Sequence, residues 1–291
     1  MTRVTTEIAW KGYFCGQTPS HNLELVELFG YATALLIGVS LGLLGGGGAI
    51  IVVPVLVYLF KKDAETATAY SLFIVSLAAL VGFVRSKMKG LVDVTTGLVF
   101  AVPAFIATFV VRAYVIPILP DELFSLGNFM VTKDMGIMGL FAVVMVLASV
   151  SMIRSNKPEP KDAGGPVKIN YPLVLLEGLG VGALTGLIGV GGGFLIVPAL
   201  VLLANLPMKK AVGTSLMIIS IKSAIGFGGD LYAGLDPEWI FLLIFSVLAM
   251  GGIFVGIWLG SMISGARLKK MFGWFVLAMA VFIGVQLYLG G

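Results

Sequence analysis

Eight stretches of this chain, at 28–60, 66–84, 94–119, 136–153, 172–204, 212–229, 239–263 and 272–289, are apolar for eighteen residues or more and carry few charges. A helix of about 20 such residues crosses roughly 30 Å of hydrocarbon, so the pattern calls for an all-α polytopic membrane protein. Composition says the same of the whole chain: 58% hydrophobic, 12% charged, mean hydropathy +1.05. The net charge of +4 could suggest a nucleic-acid partner. Its basic residues, however, cluster at the ends of apolar runs, as they do in cytoplasmic loops, and no nucleic acid is expected. Lone Cys15 and lone His21 exclude an internal disulfide and a Cys/His metal centre, and no cofactor is implied. The first 27 residues lack the charged-then-apolar pattern of a cleavable signal peptide and read as an N-terminal extension.

The runs fall into two related sets. The segment GLLGGGGAIIVVPVL at 42–56 lies on GLIGVGGGFLIVPAL at 186–200, with an offset of 144 and eight identities in fifteen positions. The same offset carries ATAYSLFIVS at 67–76 onto AVGTSLMIIS at 211–220, so Tyr70 matches Thr214 and Ser71 matches Ser215. The expected organisation is an extension at 1–27, a first transmembrane repeat at 28–153, a polar linker at 154–171 and a second repeat at 172–291. Duplication of this kind suits alternating access, in which one repeat moves against the other around a central site. A duplicated membrane protein without a transport role is the plainer reading.

Loop charge bears on topology. If every run crosses once, the halves are parallel and the loop lysines and arginines divide nine against nine. If the glycine-interrupted run of each half enters and returns on one side, the halves are inverted. Arg85, Lys87, Lys89, Arg154, Lys157, Lys161, Lys168, Lys209, Lys210, Arg267, Lys269 and Lys270 then share a face, twelve against six. The positive-inside rule prefers the second arrangement, with both termini outside. The legs at 30–44 and 49–60 have fifteen and twelve residues, about 22 and 18 Å as helix, too short to span singly. One long, tilted, broken helix is the alternative. The expectation is therefore two halves, read as inverted repeats, each with a glycine-broken or re-entrant helix and three spanning helices.

Four candidate groups could carry chemistry. Gly45, Gly46, Gly47 and Gly48, with their counterparts Gly189, Gly191 and Gly192 and the following Gly193, lie inside apolar runs, where each costs about 1 kcal/mol relative to alanine. Contiguous glycines open the helical ladder and start the next segment with its positive dipole end inside the membrane, a design that binds anions. Close helix packing through small residues is the alternative. Ser71, Thr214 and Ser215 can donate to an anion without a charge to desolvate, although such hydroxyls commonly bond the preceding turn. Lys222 is an ionisable residue within the run 212–229 and faces Ala78 in the alignment. It would pair with an anion, or snorkel to the interface. Glu177, Asn205 and Gln286 are assigned structural or interfacial roles, and Arg112 an entrance or headgroup position. No intramembrane histidine, paired carboxylates, nucleophile–base pair or nucleotide loop appears, so neither an enzyme nor an ATP-driven pump is expected.

The motif GLIGVGGGFLIVPAL followed by AVGTSL, with its weaker first-half copy, resembles the TauE/SafE family of sulfite and organosulfonate permeases over about 30–289. The resemblance implies a multi-pass permease of a bacterial or archaeal inner membrane that moves sulfite, sulfoacetate or related organosulfonates. Gly189, Gly191, Gly192, Gly193, Thr214 and Ser215 match motif positions. The first half departs, with Ala49 for the last glycine and Tyr70 for the threonine, which leaves open whether both halves serve one site. A permease for a carboxylate or another small anion is the alternative, and a membrane enzyme or scaffold lies further off. Coupling to a proton or sodium gradient, and a homodimeric state, are left open.

Overall fold

The computed structural model describes residues 21–118, 120, 122–126, 129–154, 171–188 and 193–290. The chain is helical nearly throughout. α1 (His21–Leu44) ends in a 3-10 turn, Gly45–Gly48, which leads into α2 (Ala49–Tyr58). Then follow α3 (Ala64–Met88), α4 (Val94–Val110) with a π turn at Val111–Val115, and the short α5 (Ile116–Ile118). Two strands, β1 (Glu122–Leu126) and β2 (Phe129–Thr132), pair antiparallel before α6 (Lys133–Arg154). The second half holds α7 (Tyr171–Ile188), α8 (Gly193–Leu202), α9 (Met208–Tyr232), α10 (Trp239–Met262) and α11 (Gly265–Gly290). α1 begins at His21, inside the segment read from sequence as extension. The strand pair was not anticipated at all.

Among the described residues seven helical stretches are long and apolar enough to cross a membrane, the first of them at 30–58. That first stretch does not run straight. Phe60, just past α2, packs edge-on against Tyr31, the eleventh residue of α1, with ring centroids 5.8 Å apart. A Cβ on Gly30 would lie 2.3 Å from Phe60 Cζ. α1 and α2 therefore form a helical hairpin whose second leg returns to the level of Gly30 and Tyr31. The bend sits at Gly45, whose φ of +67° is open to glycine and strained for other residues.

Backbone detail repeats at the offset seen in the sequence. Lys61 and Asn205, both non-glycine, adopt positive φ (52° and 53°), as do Gly90 and Gly234 (69° and 101°). The turn bond from Lys62 N–H to Leu56 O (3.1 Å) has its counterpart from Leu206 N–H to Leu200 O (2.9 Å). Pro54 lies inside α2 and Pro198 inside α8.

Each half's first helix packs on the other half's third. Gly38 and Gly42 of α1 approach Ala249 O and Ile253 O of α10 so closely that added Cβ atoms would lie 2.0 and 2.5 Å away. Gly252 and Gly256 of α10 approach Leu35 O and Val39 O equally closely, at 2.1 and 2.2 Å. Gly178, Gly182 and Gly186 of α7 likewise meet Phe100 O, Ala104 O and Thr108 O of α4. Residue numbers rise together in both contacts, so the helices of each pair run parallel. Glycine at every fourth position lets backbones touch, and dispersion holds the pair where lipid offers no hydrophobic gain. α3 and α9 run antiparallel instead: Gly226 faces Leu72, Gly82 faces Leu216, and Phe73 stacks at 4.9 Å on Phe227. Large apolar side chains point outward, among them Phe109, Trp258 and Trp274, as they do on a lipid-facing surface.

Candidate functional site

The 3-10 turn of the first half meets the start of α8 at the centre. A Cβ on Gly46 would lie 1.9 Å from Gly193 O, so the 3-10 turn of the first half rests on the start of α8 in the second. From this meeting point α2 and α8 run to opposite ends of the molecule. α2 ends beside Glu238, to which Lys62 forms an ion pair, beyond the last turn of α9. α8 ends at the turn into the first residues of α9, a helix of 25 residues and so about 37 Å long.

A small cavity lies beside the junction, lined by Ala49, Ile50, Val53, Thr68, Ser71, Leu72, Val75, Gly193, Phe194, Ile219 and Ser223. Three of its pairs are related by the offset of 144: Ala49 with Gly193, Ile50 with Phe194, and Val75 with Ile219. Both halves thus build one space, and the first residues of α2 and α8 both face it. Among the described residues that line it none is charged; the polar ones carry the hydroxyls of Thr68, Ser71 and Ser223. About 20 Å³ is open to water centres, room for a water molecule and too little for a four-atom anion.

Of the residues singled out from sequence, Ser71 and Gly193 line the cavity. Gly45, Gly46, Gly47 and Gly48 are buried in the turn behind it. That turn is less open than expected, because the N–H of Ala49 bonds back to Gly46 O and Gly47 O. Gly189, Gly191 and Gly192 lie outside the described residues. Ser215 is fully buried against Gly45, whose added Cβ would sit 2.6 Å from its Oγ. Both Ser71 and Ser215 donate to the preceding turn, to Thr68 O (2.7 Å) and Val212 O (2.8 Å).

Thr214 does another job. Its Oγ1 accepts from the N–H of Asp93 (3.0 Å), at the N-cap of α4 in the other half. Its counterpart Tyr70 accepts through its hydroxyl from the N–H of Glu238 (2.8 Å), at the N-cap of α10. Each half clamps the loop that enters the other's third helix, and the tyrosine that departs from the motif fills the threonine's place.

Lys222 stands away from the cavity. Its Nζ donates to Thr185 Oγ1 (3.1 Å), which with Thr108 Oγ1 forms a hydroxyl cluster on Gly182 O at the α4–α7 contact. Sequence reasoning missed these threonines, which carry no motif. Glu177, given a structural or interfacial role from sequence, is 7% exposed, and its two carboxyl oxygens have no hydrogen-bond partner. Outside the membrane-spanning segments, Asp63 caps α3. The backbone N–H of Thr66, and then its side chain, hold that carboxyl below the usual range.

A multi-pass helical protein in which a helical turn of one half rests on the start of a short helix of the other has the build of a membrane transporter. The sequence matches the family described as Sulfite exporter TauE/SafE over residues 31–283. The chain belongs to that family and is a multi-pass membrane transporter of the cell membrane. It is similar to a probable membrane transporter protein of Xylella fastidiosa (strain Temecula1), 28% identical over 254 residues, covering 85% of this chain and 91% of the relative. It is also similar to the probable membrane transporter protein YunE of Bacillus subtilis (strain 168), 29% identical over 262 residues, with 81% and 86% covered. No solved structure matches the chain.

Proposed function

We propose that this transporter is a permease for small sulfur-containing anions, sulfite or an organosulfonate such as sulfoacetate. The anion sits where the starts of α2 and α8 converge. The observation that carries this reading is the shared cavity, with matched residues of both halves on its walls and three hydroxyls within it. Two helix N-termini supply a positive field without a buried countercharge, and Ser71 and Ser223 can turn their hydroxyls from the neighbouring turn to anion oxygens. The family's name supports sulfur as the central atom.

The halves are proposed to be inverted repeats. The α1–α2 hairpin returns to the level of Gly30 and Tyr31, where the apolar run begins, and antiparallel α3 and α9 occupy matched places in the two halves; both features support that relation. Arg85, Lys87, Lys89, Lys209, Lys210, Arg267, Lys269 and Lys270 then lie at the cytoplasmic end. Access alternates as the halves re-pack, which also enlarges a cavity now too small for its guest.

Flux of sulfite and sulfoacetate in proteoliposomes tests the reading. A hydrogen bond to a charged group is worth about 1.5 kcal/mol or more, so Ser71→Ala and Ser223→Ala should each weaken apparent affinity roughly tenfold. Undiminished flux in the double variant would refute the site. Competition by small carboxylates stronger than by sulfonates would favour a carboxylate permease.

A further inference from the structure

Glu177 lies in α7, the leg that leads to the second helix break, and it is buried by protein. Neither carboxyl oxygen has a hydrogen-bond partner. A charged carboxylate in such a place carries a heavy desolvation cost unless a countercharge or donors reach it. Among the elements packed on α7, α9 brings a cation, Lys222, whose Nζ donates to Thr185 two turns from Glu177. α4 and α8 contain no titratable residue. The π turn carries Arg112 and Tyr114 at the far end of the contact, where Val111 meets Gly186. α6 carries Lys133 and Asp134 at one end and Arg154 at the other.

The fold does not need an acid here. The matched residue of the first half is Thr33, which closes its own bond to Gly30 O (2.6 Å) and is half-buried. The register of α4 on α7, with Gly178 against Phe100, brings Thr96 to the level of the Glu177 side chain, which leans toward its helix start. The Thr96 hydroxyl is also buried without a partner. Two turns further along the same face of α7, Thr185 holds Lys222. Glu177 and Thr185 thus share one face of α7, with Val181 between them.

We propose that Glu177 is the proton-binding group of this transporter. It carries a proton in the conformation described. When the α4–α7 contact re-packs during alternation the carboxyl meets water, and its O–H bond breaks to leave a carboxylate and a hydrated proton. Proton movement is thereby tied to movement of the anion. This rests on the chain being a transporter, and not on which anion it carries.

Two measurements on the full-length reconstituted protein test it. Dicyclohexylcarbodiimide, an apolar reagent that adds to protonated carboxyl groups reached through lipid, should label Glu177 in preference to Asp63 and Glu238, as read by peptide mass. An unlabelled Glu177 overturns the proposal, and this arm needs no substrate and no variant. In the second arm, sulfite or sulfoacetate accumulation driven by an imposed pH difference is divided by exchange at equal pH in the same vesicles. Glu177→Gln should lower that ratio at least tenfold, while Glu177→Asp should keep it near wild type. A Glu177→Gln ratio equal to wild type, or a wild-type ratio indifferent to the pH difference, overturns the assignment. If wild-type vesicles move neither anion, the substrate reading fails, and the labelling still decides Glu177.

Discussion

Replacing Gly46 by alanine tests the contact on which the site depends. The added Cβ would lie 1.9 Å from Gly193 O and 2.2 Å from Gly193 C. Real Cβ contacts essentially never fall below 3.0 Å, so one break must retreat from the other by at least 3.0 − 1.9 = 1.1 Å. Both obstructing atoms are backbone, and no rotamer change relieves them. Overpacking of this kind costs about 1–3 kcal/mol, and that displacement falls on Gly193, a wall of the cavity. The variant should melt below wild type in detergent and should lose anion flux more steeply than stability, since a site displaced by about 1 Å can lose a hundredfold. Gly251→Ala is the control: its helix face is exposed and nothing lies within 4 Å, so stability should hold or rise by up to about 1 kcal/mol. A Gly46→Ala protein with wild-type melting and wild-type flux would refute the close meeting of the two breaks.

Other perturbations give separate readings. Tyr70→Phe and Thr214→Val each strip an acceptor from a loop N–H of the opposite half and should each lower stability by about 1 kcal/mol in thermal unfolding. The two sites share no partner, so the losses should add in the double variant. Lys222→Met removes a donor to Thr185 outside the cavity. It should change apparent anion affinity less than Ser71→Ala does, as measured by flux against concentration. Asp63 has its carboxyl held low by Thr66, so the stabilisation it gives α3 is present above the ordinary carboxylate range and fades as pH falls through the folded value. Asp63→Ala should flatten that acid limb in a pH series of melting curves.

Much of this architecture was written in hydrophobic length and in the repeat. The apolar runs mark the helices because lipid forces each backbone amide to bond within its own segment. The glycine clusters mark the break because four in a row forgo helix propensity. What escaped was relational. Ser71 and Ser215 are equivalent in sequence, yet one lines the cavity and the other lies against Gly45. Thr214 looked like a ligand because it belongs to a motif, although its hydroxyl serves a loop 121 residues away. The every-fourth-residue glycines of α1, α7 and α10 were visible beforehand and state the helix contacts directly. The strand pair at Glu122–Leu126 and Phe129–Thr132 also had a signal, the Gly127–Asn128 pair between two apolar stretches, which favours a hairpin.

The crossed pairing of α1 with α10 constrains biosynthesis. Gly38 meets Ala249, a residue translated 249 − 38 = 211 positions later. At about 5–20 residues per second the ribosome needs roughly 10–40 s to supply that partner. Until then the glycine face of α1 must wait in lipid or against the insertion machinery, and the nascent first half cannot mature by itself. Two separately encoded halves should accumulate only when made in the same cell.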